Sequence, residues 1–433
     1  MTLKLDRRKF LMGSSALMAA GAAGMRPAWA QNQPLRLIWW GGQERADRTL
    51  SVADLYAEAK GVPAMEGEFL SWNDYWPKLA TQVAGGNAPD VLQMDYRFIV
   101  EYASRNAIAP LDEFIDSGVL NLDDFDEDQI EGGRVNGKFY GLSLGANSVA
   151  TLVNTTAFEE VGIDVPTLAW TYDDLKTIGE AFKAANIRDG MRAFGDGSNS
   201  EPMLDNWIRQ RGKALYTADG KLGPDVDDMI EWFTMWNEFR EAGYIVSAED
   251  QALDTGAAEV SMVALNKAAM IPSNSNQLVI HQSINPDTLT ITSYPRIAPG
   301  VGGGHYRKPS QFWSVAGASQ NKEEAAAFLS YFVNDIEAGK ILGVERGIPC
   351  SAGVRDAVSP LLSEQDQIAL HFVASLGDLL GPLPPSPPNA AGEIDTSLLR
   401  VLSQEVAFGG RSAEDAGRYF VDEATAILAR AEA

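Results

Sequence analysis

The segment LRLIWWGGQERADRTLSVADLYAEAKG (35–61) passes from an apolar run through two glycines into a stretch with helical spacing. Leu35 to Trp40 has the length of one strand, and Gly41-Gly42 ends it. Leu50, Ala53, Leu55 and Tyr56 approximate one apolar face of the helix that follows, which Gly61 stops. Successive strand side chains point to opposite faces. Trp39 and Trp40 are therefore expected to divide the work, one packing under covering helices and the other standing at the strand end.

The same alternation repeats. MEGEFLSW (65–72) reads as a second strand, NDYWPKLATQVAGG (73–86) as a helix, APDVLQMD (88–95) as a short buried strand and YRFIVEYASRNA (96–107) as another helix. Strands alternating with helices imply a parallel sheet with covering helices. In open α/β sheets, ligands bind beyond the carboxyl ends of the strands. Those ends are Trp40 to Arg45, Ser71 to Trp76 and Asp95 to Arg97, rich in indoles and planar hydrogen-bonding groups. That mixture suits a sugar, whose C–H faces stack on an indole while its hydroxyls need fixed donors and acceptors.

A chain of 433 residues exceeds what one hydrophobic core usually supports, so two domains are expected. With 45% hydrophobic and 22% charged residues the composition is that of a folded soluble protein. LDRRKFLMGSSALMAAGAAGMRPAWAQ (5–31) has the layout of an export signal: Arg7, Arg8 and Lys9, an apolar stretch from Phe10 to Gly24, and a small-x-small site at Ala28-Trp29-Ala30. The paired arginines followed by Lys9, Phe10 and Leu11 match the twin-arginine signal, which places the mature chain, from Gln31, in a Gram-negative periplasm. No cysteine follows the cleavage site, so no lipid anchor is expected.

The 35 Lys and Arg against 59 Asp and Glu fall to 30 against 58 without residues 1–30, which hold five basic residues and one acidic, a net of −28. Such a surface repels nucleic acid and anionic lipid. The lone Cys350 excludes an internal disulfide and a CxxC site, and His281, His305 and His371 have no metal-ligand spacing, so no cofactor or metal is expected. The acidic run DDFDEDQIEGG (123–133) lacks the glycine and glutamate of a calcium loop and reads as a solvated loop. VGGGH (301–305) reads as a turn, and GPLPPSPPN (381–389) as a stiff polyproline connection between the last helices. Nothing assembles a particular catalytic pair or triad.

Four stretches, YWPKLATQVAGGNAPDVLQMD (75–95), FYGLSLGANSVATLVNTTAFEEVGIDVPTLAWTYDDL (139–175), NKAAMIPSNSN (266–276) and KEEAAAFLSYFVN (322–334), resemble the extracellular solute-binding proteins, family 1, that serve ABC importers for carbohydrates. The resemblance covers essentially the whole mature chain in order. It implies a two-lobed periplasmic binding protein fold of class α/β, each lobe a mainly parallel sheet with flanking helices, and a ligand cleft between the lobes. The first lobe is expected over 31–146 plus about 280–345, the second over about 147–279 plus 346–433. Helices near 357–379 and 412–431 would pack on the second lobe, with Trp232 and Trp236, one turn apart, in its core.

Carried over residue by residue, the resemblance makes Trp40, Gln43 and Arg45 cleft candidates from the first loop, Ser71 and Trp72 from the second and Asp95 from the third. Asn147, with Ser148, stands where the chain would cross to the second lobe. Asn206 and Trp207 lie where the resembling proteins put a cleft-edge helix. Family members often have a GSW-like stretch where this chain has IPSNSN, so Asn274 and Asn276 would offer amides there and Trp313 the stacking surface. Arg346 near the return crossing would reach a hydroxyl or a carboxylate, or close a hinge salt bridge.

The resemblance implies a monomeric protein that performs no chemistry, binds a sugar or short oligosaccharide, closes around it and delivers it to permease subunits driven by a cytoplasmic ATPase. Three alternatives stay open: uronic-acid oligosaccharides held by Arg45, Arg97 or Arg346; a non-sugar such as a polyamine or glycerol phosphate; and a periplasmic glycoside-active enzyme. A polyamine would need several carboxylates around aromatic walls.

Overall fold

The computed structural model describes residues 33–254, 258–385, 387–388 and 390–432; the expected export signal and the Trp72 side chain lie outside the described residues. The sheet strands are β1 (Arg36–Trp40), β2 (Glu66–Leu70), β3 (Val91–Met94), β4 (Leu142–Ser143), β5 (Val149–Asn154), β6 (Arg192–Phe194), β7 (Ala268–Asn274), β8 (Leu289–Thr292) and β9 (Phe312–Val315). They form one sheet in the order β2-β1-β3-β9-β4 and another in the order β8-β5-β7-β6, the two lobes of the molecule.

After Arg36, β1 is apolar from Leu37 to Trp40 because both its faces are covered. Trp39 enters the core on one face, edge-on to Trp313, and Trp40 enters the core on the other, against Tyr75 and Trp76. The expected division of labour therefore fails: both indoles pack. The helix after the glycines, α1 (Gln43–Lys60), ends at Gly61 in the left-handed region with φ 67°, where a side chain would be strained. Its buried stripe is Ala46, Thr49, Val52, Ala53, Tyr56 and Ala57, which keeps Ala53 and Tyr56 of the expected face while Leu50 is exposed. Small residues at 46, 53 and 57 let the helix lie close on the sheet.

β1 runs parallel to β2 and β3, joined by α1 and by α2 (Trp72–Ala84). The sheets are otherwise more mixed than the mainly parallel arrangement expected. β9 is antiparallel to β3 and β4, and β5 is antiparallel to β7 and β8. The cause is where the chain enters. β5 and β9 each follow a crossing between lobes, so they start at the cleft and run away from it, whereas their neighbours run toward it. The crossings are the paired strands Ala146–Asn147 and Lys308–Pro309, with Ile348 bonded beside them to Ala146.

Lobe boundaries shift accordingly. β8 belongs to the second sheet, so the return to the first lobe falls near 308 instead of 280. The helices α3 (Glu201–Gln210) and α4 (Val226–Ala242) before this return, and α5 (Lys322–Asn334), α6 (Ile336–Leu342) and α7 (Ala413–Glu432) after it, complete the main helical layers. α5 and α6 cover α1, and the helix Ala352–Val358 packs on α6, so the chain leaves the first lobe after 358 rather than at 346. The helix Glu364–Ala374 lies against β8.

The second lobe's larger core is aromatic. Trp207, Trp232 and Trp236 stack edge to edge inside it, and α4 lies along α7 so closely that a Cβ on Gly417 would stand 2.6 Å from the Ile230 amide nitrogen. The acidic run near 124 is not a free solvated loop. Asp124 accepts from Ser351 and the Gly353 amide, and Asp126 and Asp128 pair with Arg307, which ties the first lobe to the crossing chain.

Candidate functional site

Because β1, β2, β3 and β4 run toward the cleft from one side and β6, β7 and β8 from the other, the carboxyl ends of both sheets face one space. A cavity of about 570 Å³ lies there, within the range of about 300–1,000 Å³ usual for small-molecule sites. The turn after β3 supplies Tyr96, Arg97 and Phe98; the crossings supply Asn147, Ser148, Val149, Tyr306 and Lys308. The second lobe supplies Glu201, Pro202 and Asp205 from α3, with Tyr216, Asn274 and Asp395.

Prolines 384, 385, 387 and 388 close one side. The polyproline run expected to be a surface connection is thus a cavity wall. It is braced from both lobes: the Tyr96 hydroxyl donates to the Pro384 carbonyl at 2.8 Å, and the Arg209 guanidinium donates to those of Pro382 at 2.6 Å and Gly304 at 3.1 Å. Arg209 also stacks over Tyr306 at 5.0 Å. A polyproline segment suits this task because its fixed φ keeps it extended without partners of its own.

The electrostatics centre on the second-lobe wall. Burial, then Asp205 and Asp395, push the Glu201 carboxyl up to about 7, against the opposing pull of Lys308 and Arg97. Burial pushes Asp205 up to about 6, although Arg209 and the Leu215 amide favour its charge. Asp395 is raised by burial. Burial, then Glu201, Asp395 and Asp205, hold the Tyr216 hydroxyl well above the usual phenol range. His305, behind the wall, is pushed down to about 3 by burial and accepts from the Tyr294 amide, so it stays neutral and structural.

The structure separates the sequence-chosen residues into two groups. Asn147, Ser148 and Asn274 line the cavity, as does Arg97. The other described candidates do not. Trp40 is 8% exposed and contacts Trp76, which in turn packs on Phe98 at 4.0 Å, so its ring supports the wall from behind. Gln43 donates to Asp47 on the surface. Arg45 is held by Glu345, Gln311 and the Trp40 carbonyl. Ser71 caps α2 by accepting from the Asp74 amide. Asp95 accepts from the Arg97 amide at 2.9 Å and shapes the turn.

Trp313 is fully buried between Trp39 and Phe332 and stacks under Arg346. Arg346 is also buried and donates to Gln93 and Thr49, which removes it as a cleft contact, and it forms no salt bridge among the described residues. Asn276 is exposed and absent from the cavity lining. Asn206 and Trp207 belong to the right helix but the wrong face. Residues 201 and 205 stand one turn apart on α3, facing the cavity, while 206 and 207 are rotated into the core. The acid pair spaced by four on a helix opened by Pro202 was the signal for this wall.

A family profile described as bacterial extracellular solute-binding protein matches residues 51–367. The extracellular solute-binding protein family 1 from Alicyclobacillus acidocaldarius is similar with a TM-score of 0.80 and 27% identity, covering 92% of this chain and 98% of that one. A periplasmic oligogalacturonide binding protein from Yersinia enterocolitica shares the fold at TM-score 0.78 and 21% identity, over 93% and 100% of the two chains. The sugar-binding protein MalE from Xanthomonas citri shares it at 0.74 and 14%, over 92% and 98%. A binding protein of Brucella abortus is 27% identical over 128 residues, and the chain matches 30% of that relative's length. Fold, cleft and profile agree: the chain belongs to the bacterial extracellular solute-binding proteins.

Proposed function

We propose that the chain is the substrate-binding component of an ABC importer, which takes a sugar or short oligosaccharide into the inter-lobe cavity and delivers it to permease subunits coupled to a cytoplasmic ATPase. The observation that carries this reading is the cavity lining: Tyr96, Phe98, Tyr216 and Tyr306 beside Asn147, Asn274 and carboxylates, drawn from both lobes. Rings take the apolar faces of a sugar, and amides and carboxylates take its hydroxyls. Ligand contacts on both lobes favour the closed state over the open one.

In this reading the protein works as a monomer in the periplasm after twin-arginine export, without a lipid anchor, and performs no chemistry. No helix of the described residues is long and apolar enough to cross a membrane. Glu201 and Asp205 stand on one helical face of one wall, whereas glycoside cleavage requires carboxyls flanking the bond. Uronate binding is the weaker variant, since Arg45 and Arg346 are engaged elsewhere and, among the described residues, only Arg97 and Lys308 bring positive charge to the cavity.

The test is thermal shift of the processed chain, residues 31–433, against neutral mono- and oligosaccharides and galacturonate oligomers. A ligand that binds only the folded state raises the melting temperature. The reading expects a shift with a saccharide, recovered unaltered at one per chain. Hydrolysed product would contradict it, as would no shift with any saccharide.

A further inference from the structure

We propose that the cavity recognises a positively charged amine on its ligand, so that the solute is an amino sugar or, failing a sugar, a polyamine. The amino-sugar form rests on the saccharide reading above; the amine site itself does not.

Glu201, Asp205 and Asp395 bring three carboxyls to one cavity, against Lys308 and Arg97. The arrangement is incomplete as it stands. Tyr216 lines the cavity and is 5% exposed, and its hydroxyl is buried near these carboxyls with no hydrogen-bond partner among the described residues. Oδ1 of Asp395 is likewise buried and unpartnered. Glu201 forms no ion pair among the described residues. Buried polar groups ordinarily find partners, and an orphan carries a cost of about 1–3 kcal/mol. What these orphans share is chemistry: all are oxygens able to accept.

The group that satisfies several converging acceptors at once is a multiple donor, and a primary ammonium has three N–H bonds and no acceptor. Its charge also relieves the crowding of like charges at the wall. The Tyr306 ring already holds one cation, Arg209, at 5.0 Å, so the wall is of a kind on which cations are attracted. The neighbouring cations leave room for it. Arg97 stands 3.9 Å from Asp95, Arg209 is bound to the proline wall and 4.0 Å from Asp205, and Arg400 lies 3.7 Å from Asp395 on the outer side. Lys308, and more weakly Arg97, compete for Glu201. An anionic ligand would meet the reverse situation and raise the cost of keeping these carboxyls charged.

The raised carboxyl of Glu201 gives a thermodynamic signature. At neutral pH it is partly protonated, so an arriving ammonium displaces a proton. Binding of a neutral sugar would not.

The experiment is calorimetric titration of the processed chain at pH 7 with three probes: the β1,4-linked glucosamine disaccharide, cellobiose as its neutral counterpart, and spermidine. Wild type is compared with Glu201→Gln, Tyr216→Phe and Lys308→Gln. The proposal expects the glucosamine disaccharide to bind at least tenfold tighter than cellobiose, with proton release read from buffers of different ionisation enthalpy. Glu201→Gln should abolish the preference, roughly a tenfold loss. Lys308→Gln should strengthen it, so the two variants move in opposite directions and a folding defect in one leaves the other decisive.

Equal affinity for both disaccharides in wild type and Glu201→Gln would overturn the proposal while leaving the saccharide reading intact. Binding of spermidine alone, lost in Glu201→Gln, would uphold the amine site and sink the saccharide reading. Failure of all three probes to bind would overturn the proposal.

Discussion

The carboxyl end of β1 and the wall built by α3 face the same cleft but differ in one respect. Around β1 the charged side chains are held by partners from within the protein, although Glu345 Oε2 and Arg346 Nε stay buried with no partner among the described residues. Arg45 meets Glu345 and Gln311, and Arg346 meets Gln93 and Thr49 while lying over Trp313. On the α3 wall, the Tyr216 hydroxyl and Asp395 Oδ1 are buried with no partner among the described residues, and Glu201 shares its space with other carboxyls. The residues with unmet atoms in the first region do not line the cavity, whereas Tyr216 and Asp395 do. Aromatic and charged residues at a strand end are therefore a poor guide to a binding site unless they line a cavity with hydrogen-bonding needs left unmet.

That contrast fails if variants at the two regions behave alike. Trp313→Ala should have the largest effect, about 3–5 kcal/mol of stability, because a fully buried indole is lost from between Trp39 and Phe332. Urea unfolding measures the loss, and ligand affinity of the folded fraction should be unchanged. Arg346→Met should cost about 2–3 kcal/mol, since Gln93 and Thr49 lose a charged donor in a buried place. A change in affinity larger than the change in stability would place Arg346 in the site after all.

Effects at the α3 wall should be smaller in stability and larger in affinity. Glu201 and Asp205 have folded values near 7 and 6, above the ordinary carboxylate range, so the folded state holds extra protons. Their contribution to stability is full at pH 4 and is lost as the pH rises through 6 and 7. Ligand-free thermal unfolding should show a fall in melting temperature from pH 5 to pH 8 that is shallower in Glu201→Gln. The smallest effect is expected at exposed Asn274, where Asn274→Ala should leave stability unchanged and weaken ligand binding by about 1 kcal/mol, read by calorimetry.

Much of the architecture was legible in the sequence. The apolar run before Gly41-Gly42, the helix ended by Gly61 and the two strand and helix repeats after it all formed, because both faces of β1 are covered and a left-handed glycine ends α1. The core role of Trp232 and Trp236 followed from their spacing by four on α4. Strand direction was not legible where a strand follows a crossing, because the entry point of β9 depends on chain that has travelled through the other lobe.

The site divided in the same way. Asn147, Ser148 and Asn274 sit at crossings and strand ends, positions that order along the chain gives. Glu201, Tyr216, Tyr306 and Asp395 come from segments far apart in sequence, and only the packed second lobe brings them together. The proline run at 382–388 carried its rigidity in its composition, but not its place beside Tyr96.

The central claim is that ligand is held by the wall of the crossings and second lobe, with the β1 end as scaffold. Tyr306 tests it most directly, since it lines the cavity and its ring lies outside both sheet cores. Calorimetric titration of Tyr306→Ala with the solute giving the largest thermal shift should show at least about a tenfold loss of affinity, from lost ring contact. An unchanged dissociation constant in Tyr306→Ala, with affinity lost in Trp313→Ala instead, would contradict the account.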